Sequence, residues 1–313
     1  MSTEPIPQIS RTIDQALNLL GKEFDAETGG AAVVTDLPNL LEECLSLCSQ
    51  ATGPAVEPIR TIHHFSCTGG TLLAKCIASM PNVLLLNEVD PLSPLPFKSD
   101  IKPEFTPTDM VSLLRQGDPH ISSDLIERLF VHDLELIKEE QSKIGRSLVL
   151  RDHTHSHFLT GEDIAERPTL RDLVKDHFPV KSIITVRDPI DSYLSMKKLG
   201  WHQHFSPPDF EEYCRRYLIF LDKYQNMDSI KYEEFVALPK VTMQRICGVL
   251  ELNYSNIFTE VFDTFRFSGD SGRQGGVIEA RPRKEMDAKM VEEAQSSSSY
   301  KALVDQLGYR SAI

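Results

Sequence analysis

The chain has few cysteines, no long apolar run and no excess of positive charge. Its six cysteines are sparse among 313 residues and form no CxxC pair, which fits free thiols in a reducing cytoplasm. The longest apolar runs, such as residues 83–86, are far too short to span a bilayer. The first ten residues, MSTEPIPQIS, lack the basic and apolar regions of a secretory signal. We therefore expect a cytoplasmic protein.

The formal net charge of −13 at pH 7 restricts the classes of partner. Binding to nucleic acid requires a basic surface that displaces counterions, and docking on anionic lipid requires the same sign of charge. The composition therefore argues against nucleic-acid and membrane partners. An anionic ligand would need a local basic pocket, so clusters of arginine in this acidic chain are informative.

Residues 1–58 have the pattern of a separate N-terminal element. Their apolar residues have helical spacing, and a Gly/Ala passage at 29–32 divides them into two groups. The spaced residues are Ile13, Ala16, Leu17 and Leu20, followed by Leu40, Leu41, Cys44, Leu45 and Cys48. We expect a helical extension lying against the main domain at 59–313, and contact between two copies of the chain, in a homodimer, is the alternative.

From residue 60 onward, short strand patterns alternate with helical patterns. The strand patterns are at 61–66, 83–87, 147–151, 182–187 and 229–232, and the helical patterns are at 72–80, 124–144, 162–177 and 210–224. Strands rich in Val, Ile and Leu that alternate with helices predict an α/β fold, with a parallel sheet of about five strands and helices on both faces. Ligands of such sheets bind beyond the carboxyl ends of the strands.

Two irregular stretches interrupt this alternation. Residues 90–107 contain five prolines and follow a strand, where a loop that covers substrate would lie. Residues 267–283 are rich in glycine and include Arg273, Arg281 and Arg283. A surface loop is the simplest interpretation of the second stretch, but three arginines in one loop of an acidic chain favour contact with an anion.

The first strand runs into the sequence Cys67-Thr68-Gly69-Gly70-Thr71, and a helix opens with Leu72. The N-terminus of a helix offers unpaired N–H groups and a positive dipole end, which suit a phosphate. Glycines allow close approach of the anion, although an ordinary strand-to-helix turn has the same appearance. No lysine follows a glycine as in GxxxxGK[ST], which weakens the interpretation as a kinase or nucleotide hydrolase.

A second anion site is predicted where the strand at 182–187 ends in Arg187. Pro189 suits the first position of a helix and Asp191 its first turn, and Ser195 then lies two turns along that helix. An arginine at a strand end and a serine on the next helix can hold one terminal phosphate together. A surface ion pair between Arg187 and Asp188 or Asp191 is the alternative.

These two motifs, in this order, resemble those of the 3′-phosphoadenosine 5′-phosphosulfate (PAPS) dependent sulfotransferases. The family pattern [KR]-S-G-T-T-[WL] is similar to residues 67–72, and R-x-x-x-D-x-x-x-S is matched by Arg187, Asp191 and Ser195. The stretch 269–283 is similar to the late basic loop of the family. Residues 231–235, KYEEF, are similar to its YED-type strand end.

The resemblance implies a P-loop NTPase-like fold, PAPS as the sulfuryl donor and no metal. Thr68, Gly69, Gly70, Thr71 and Leu72 would hold the 5′-phosphosulfate. The 3′-phosphate would be bound by Arg187 and Ser195, with Arg273 and Arg281 in the late loop completing the nucleotide site. The acceptor would be a hydroxyl or amine of a small molecule or a carbohydrate.

The chain departs from the family pattern within the first motif. Cys67 stands where the family has a basic residue that contacts the departing phosphate oxygen, and Gly70 replaces the first threonine. This departure implies weaker catalysis, loss of activity or another source of positive charge, for which Lys75 and Arg151 are the candidates.

Sulfuryl transfer requires a base for the acceptor proton, and His153 is the preferred candidate. Residues 151–153, RDH, resemble the K-T-H sequence whose histidine is the base in cytosolic members. A polar turn or a metal site is the alternative, because His153, His155 and His157 would share one side of an extended strand. No carboxylate or cysteine set completes such a metal site.

Glu88 is the second candidate for the base, because a glutamate in this region serves that role in other branches of the family. Its simpler interpretation is a carboxylate that holds an arginine such as Arg151. Trp201, His202 and His204 follow the second motif and are candidates for an acceptor pocket. A small-molecule kinase of the P-loop type and a catalytically weakened nucleotide-binding protein are the alternative functions.

Overall fold

The computed structural model describes residues 57–95, 109–118, 120–267, 276–280 and 282–310. The predicted N-terminal helical extension lies outside the described residues except for its last two positions. Arg273, Arg281 and most of the proline-rich stretch 90–107 also lie outside them. The predictions made for these parts of the chain therefore stay predictions.

The central element is a parallel sheet whose five strands run in the order β2-β3-β1-β4-β5. The strands are β1 Ile59–His64, β2 Val83–Val89, β3 Ser147–Asp152, β4 Val180–Val186 and β5 Asp228–Lys231. Each predicted strand is present with its ends within two residues of the predicted bounds. The predicted fold class is thus confirmed, and the carboxyl ends of all five strands meet at one edge.

Helices connect the strands and complete the domain. They are α1 Gly70–Ala78, α2 Met110–Gly117, α3 Ser123–Lys143, α4 Thr154–Phe158, α5 Leu170–Lys175, α6 Pro189–Lys198, α7 Phe210–Lys223, α8 Tyr232–Ala237, α9 Pro239–Leu250, α10 Phe258–Val261, α11 Ala288–Ser296 and α12 Ser298–Leu307. Short 3₁₀ turns occupy Trp201–His204 and Phe262–Thr264. None of the helices that the structure describes combines the length and apolar character needed to cross a bilayer.

The predicted helix at 162–177 is wrong in length, because helix α5 covers only Leu170–Lys175. Thr169 and Asp172 form a capping box that fixes the start of the helix. Arg167 precedes a proline, and the proline ring disfavours the helical conformation in the residue before it. Local backbone chemistry therefore overrides the apolar spacing upstream of residue 169.

Apolar residues of the strands point alternately to the two faces of the sheet. Val149 of β3 packs in one buried cluster with residues of α1 and α9. Its neighbours Leu148 and Leu150 pack in another cluster with Leu134 of α3 and residues of α5. A third cluster, rich in aromatic rings, joins α6, α7 and α12. Helices therefore cover both faces and leave the carboxyl edge of the strands as the place for a ligand.

Candidate functional site

A cavity of about 760 Å³ lies at the carboxyl edge of the sheet. It brings together residues of both predicted anion motifs and both candidate bases. The predicted site residues in its lining are Gly69, Gly70, Thr71, Leu72, Arg187, Ser195, Glu88 and His153. Lys75, Arg151, Trp201 and His204 line it as well. Strand ends that are far apart in sequence thus contribute to one space.

The N-terminus of α1 forms the floor of one part of the cavity. Gly69 is its N-cap residue with a left-handed φ of 92°, and no side chain among the described residues caps this end. A Cβ atom on Gly69 would lie 2.4 Å from the ring of Tyr232, so another residue here would be strained and would clash. The N-terminal end of α1, with the positive end of its dipole, therefore lies at the cavity, where it favours an anion.

Gly70 is required by a different neighbour, the imidazole of His64. A Cβ atom on Gly70 would lie 2.3 Å from that ring. His64 Nε2 accepts a hydrogen bond of 3.1 Å from Arg151 Nε, and its Nδ1 lies 3.3 Å from the carbonyl oxygen of Phe65. Burial, helped by the charge of Arg151, lowers the pKa of His64 well below its ordinary value. The ring is therefore neutral, with its proton on Nδ1.

Thr68 stabilises the loop through contacts inside the fold. Its hydroxyl donates to the carbonyl oxygen of Phe65 at 2.8 Å and lies 3.1 Å from Thr185 Oγ1. The residue is fully buried. Its side chain thus has internal partners, whereas Gly69, Gly70 and Thr71 contribute to the cavity surface.

Arg187, Ser195 and Lys284 converge at another part of the cavity. Arg187 Nη1 donates to the carbonyl oxygen of Cys67 at 3.2 Å and lies 3.5 Å from Ser195 Oγ. Lys284 Nζ donates to the same Ser195 hydroxyl at 3.0 Å, and the Arg187 guanidinium lies over the Tyr232 ring at 4.6 Å. Buried Arg187 Nε has no hydrogen-bond partner among the described residues. Two cations therefore converge on one hydroxyl, which itself donates to the carbonyl oxygen of Asp191 at 2.8 Å, and their charges favour an anion here.

Lys284 was not identified from the sequence. It lies one residue beyond the predicted basic loop and 89 positions from Ser195, so no local pattern connects the two. Burial, with repulsion from Arg187 as a further cause, lowers the pKa of Lys284. A bound anion would relieve that repulsion.

The carboxylates beside the second motif are paired with Arg283. Arg283 Nη2 lies 2.5 Å from Asp188 Oδ2, and its Nε lies 3.4 Å from Asp191 Oδ1. Asp188 also caps α6 through the backbone N–H groups of Ile190 and Asp191. These pairs anchor the end of the basic loop to the N-terminal end of α6, close to Arg187.

The two candidate bases contact each other. Glu88 Oε2 lies 3.1 Å from His153 Nε2, and Glu88 Oε1 lies 2.9 Å from Arg151 Nη1. Arg151 is only 2% exposed, whereas the side chains of Glu88 and His153 are 20% and 24% exposed. A carboxylate thus bridges a buried cation and an imidazole at the cavity wall.

Arg151 links this pair to the phosphate loop. Its Nη2 donates to Thr71 Oγ1 at 2.9 Å, and its Nη1 also donates to Asn87 Oδ1 at 2.7 Å. Lys75 is buried on α1 and lines the cavity too. Both candidates for replacing the missing basic residue therefore lie at the site. Cys67 is half-buried with a φ of 62°, and burial raises the pKa of its thiol.

The expectation that three histidines alternate along a strand is wrong, because residues 154–158 form helix α4. His157 turns away and donates from Nε2 to the carbonyl oxygen of Ala165 at 2.9 Å. His155 Nε2 lies 3.3 Å from His204 Nδ1, and the His155 ring meets Trp201 edge-on at 5.5 Å. Within the part of the chain that the structure describes, no three His, Cys, Asp or Glu residues are grouped as metal ligands.

No family model matches the chain, and no curated protein matches its sequence. The structure is similar to the sulfotransferase domain of the Synechococcus PCC 7002 olefin synthase, with a TM-score of 0.49, 14% identity and coverage of 82% of this chain and 98% of that one. A sulfotransferase from Alicyclobacillus acidocaldarius gives a TM-score of 0.40, 16% identity and coverage of 82% and 97%. A mouse sulfotransferase complexed with PAP gives a TM-score of 0.38 and 14% identity, with coverage of 83% of this chain and 92% of that one.

Proposed function

We propose that the chain transfers a sulfuryl group from PAPS to a hydroxyl or amine of a small-molecule or carbohydrate acceptor. The observation that carries this proposal is the presence of two anion-binding groups and a Glu–His pair in one cavity. PAPS has anionic groups at two separate positions, and its reaction requires a base at the acceptor. The cavity offers a partner for each of these.

The two ends of the donor would be held by different elements. The N-terminus of α1, with Gly69 and Thr71, suits the 5′-phosphosulfate because its first-turn N–H groups and dipole favour an anion. Arg187, Ser195 and Lys284 suit the 3′-phosphate, and the buried unpartnered Nε of Arg187 supports this fit. The side chains present therefore match a nucleotide with two phosphate positions.

Bound PAPS supplies an activated sulfuryl group, which bonds to the acceptor oxygen or nitrogen as the bond from sulfur to the 5′-phosphate oxygen breaks. His153 takes the acceptor proton. Glu88 Oε2, which lies 3.1 Å from Nε2, would accept a proton carried there, and Nδ1 would then be the basic atom. Arg151 and Lys75, both buried beside the loop, supply positive charge for the leaving phosphate in place of a basic residue at 67.

Calorimetry with adenosine 3′,5′-bisphosphate tests the donor site, with adenosine 5′-monophosphate as the matched ligand that lacks the 3′-phosphate. We expect the bisphosphate to bind at least about tenfold more tightly, because a charge-assisted contact contributes about 1.5–3 kcal/mol. Transfer of labelled sulfate from PAPS to a panel of alcohols, amines and saccharides then tests turnover. Equal or negligible binding of the two nucleotides would contradict the proposal.

A nucleotide-binding protein with weakened or no turnover is the second candidate, and Cys67 is the observation that favours it. The thiol has a raised pKa and is neutral, so it supplies no positive charge to a leaving phosphate. Tight binding of the bisphosphate without transfer to any acceptor would identify this case. Turnover of ATP that depends on Mg²⁺ would instead identify a kinase.

A further inference from the structure

We infer that Glu88 is a positioning residue, which fixes the proton of His153 on Nε2 and leaves Nδ1 as the basic atom. This inference rests on the proposed function and assigns different roles to the two candidate bases. Glu88 Oε2 lies 3.1 Å from His153 Nε2. Because the other oxygen of Glu88 pairs with Arg151, we assign the proton between Glu88 and His153 to the imidazole, with the carboxylate as its acceptor.

Glu88 is poorly suited to be the base itself. Its other oxygen lies 2.9 Å from Arg151 Nη1, and Arg151 is a buried cation that is charged at all accessible pH values. Taking up a proton would break one of the two ion-pair contacts of the carboxylate and leave the charge of Arg151 with less compensation. His153 carries no such penalty, because the proton it gains is stabilised by Glu88.

The backbone holds Glu88 in a conformation that a strand does not provide. Its φ is 58°, in the left-handed region that L-residues rarely adopt. The pairing of β2 with β3 shifts register between Leu86 and Val89, around this residue. A strained residue persists only where its surroundings fix it. With this irregular backbone, the Glu88 side chain contacts both Arg151 and His153.

If the Glu88 carboxylate is replaced by an amide, Arg151 determines the orientation of that amide, and this makes the inference testable. In a Glu88→Gln variant, the guanidinium requires the amide oxygen on its side. The amide NH₂ group then faces His153 Nε2 and donates to it, which moves the imidazole proton to Nδ1. The substitution preserves shape but removes the basic atom. A Glu88→Ala variant removes the contact without imposing the opposite tautomer.

The experiment combines histidine ¹⁵N NMR of the full chain with transfer kinetics of the same samples. His153 is assigned with a His153→Asn variant, and its tautomer is read with adenosine 3′,5′-bisphosphate present and absent. Glu251→Gln is the matched control, because Glu251 also has a left-handed φ, of 51°, and pairs with a cation, Lys181, at 2.8 Å on the surface. We expect an Nε2–H tautomer in the wild type and the control, and Nδ1–H in Glu88→Gln.

In the kinetics, Glu88→Gln should lower turnover by about 10²- to 10⁴-fold, with an unchanged KM for PAPS. Glu88→Ala should lose less than Glu88→Gln. An Nδ1–H tautomer in the wild type, or an unchanged tautomer in Glu88→Gln, would overturn the inference. Retained turnover in His153→Asn with none in Glu88→Ala would also overturn it by making Glu88 the base. The tautomer is measured without turnover, so failure of the proposed function is recognised separately.

Discussion

The two halves of the cavity differ in how their charged side chains are compensated. In the anion-binding half, Arg187 and Lys284 converge on Ser195, while the nearby carboxylates are paired with Arg283. In the base half, the cation, the carboxylate and the imidazole already compensate one another. Arg187 and Lys284 form no ion pair with the described residues, so an anionic ligand would add to the charge compensation of the first half, whereas the second half is compensated internally. Binding and chemistry should therefore respond to different substitutions.

His153→Ala should separate the halves most clearly and have the largest effect. General-base catalysis contributes about 10²- to 10⁴-fold, so turnover with PAPS should fall by that factor. The affinity for adenosine 3′,5′-bisphosphate should stay unchanged in calorimetry. His132→Ala, at an exposed position of α3, is the control. Full activity of His153→Ala would place the base elsewhere.

Arg187→Ala should act on the other half, by weakening the binding of the bisphosphate. Loss of a charge-assisted contact costs about 1.5–3 kcal/mol, so bisphosphate affinity should fall by about 10- to 100-fold. Its thermal unfolding should differ little from that of the wild type, since the guanidinium is one side of an open site. Arg245→Ala removes an exposed ion pair with Glu234 and serves as the comparison. Equal affinities of Arg187→Ala and wild type would remove Arg187 from the phosphate site.

Gly70→Ala should damage the anion-binding half through packing. The new methyl group would lie 2.3 Å from the His64 ring, and overpacking of this kind costs about 1–3 kcal/mol. Denaturant unfolding should show that loss, together with weaker bisphosphate binding. Gly248→Ala is the matched control, because a Cβ atom at this glycine of α9 meets nothing within 4 Å. If both variants were equally stable, the His64 contact would not constrain the loop.

His64 should give the smallest effect, visible only in the pH dependence of stability. The fold holds its pKa well below the ordinary value of 6.5, so the unfolded chain binds a proton there that the folded chain does not. Stability is therefore lost as the pH falls below 6.5, by up to about 1.4 kcal/mol per pH unit. The free energy of unfolding of His64→Gln should be less steep in that range. Identical slopes would show that His64 titrates freely in the fold.

The sheet was predictable because its strands carry a strong local signal. Buried parallel strands are short apolar runs, and each was located to within two residues. The strand ends then implied that Arg187, Glu88 and His153 would share one edge. The members of the base half and the contact of Glu88 with Arg151 were predictable from the sequence. The contact of Glu88 with His153 was not, because it accompanies a register shift in β2.

Other contacts of the site could not be predicted, because they leave no recognisable pattern in the sequence. Lys284 reaches Ser195 only through the tertiary path of its segment, and a lone lysine has no periodicity. The histidines at 155 and 157 alternate as in a strand, yet helix α4 begins at Thr154 and turns them apart. Thr68 belongs to the loop motif, but its hydroxyl is used inside the fold.

The close contact between His64 and Gly70 has a consequence for how such loops diverge. Gly70 occupies the place where the resembled family pattern has a threonine, and the imidazole of His64 fills the space that a side chain there would need. The residues allowed at positions 64 and 70 therefore depend on each other. We expect relatives with threonine at position 70 to carry a smaller residue than histidine at position 64. Exchange at one site alone would be selected against, so the pair should change together during evolution.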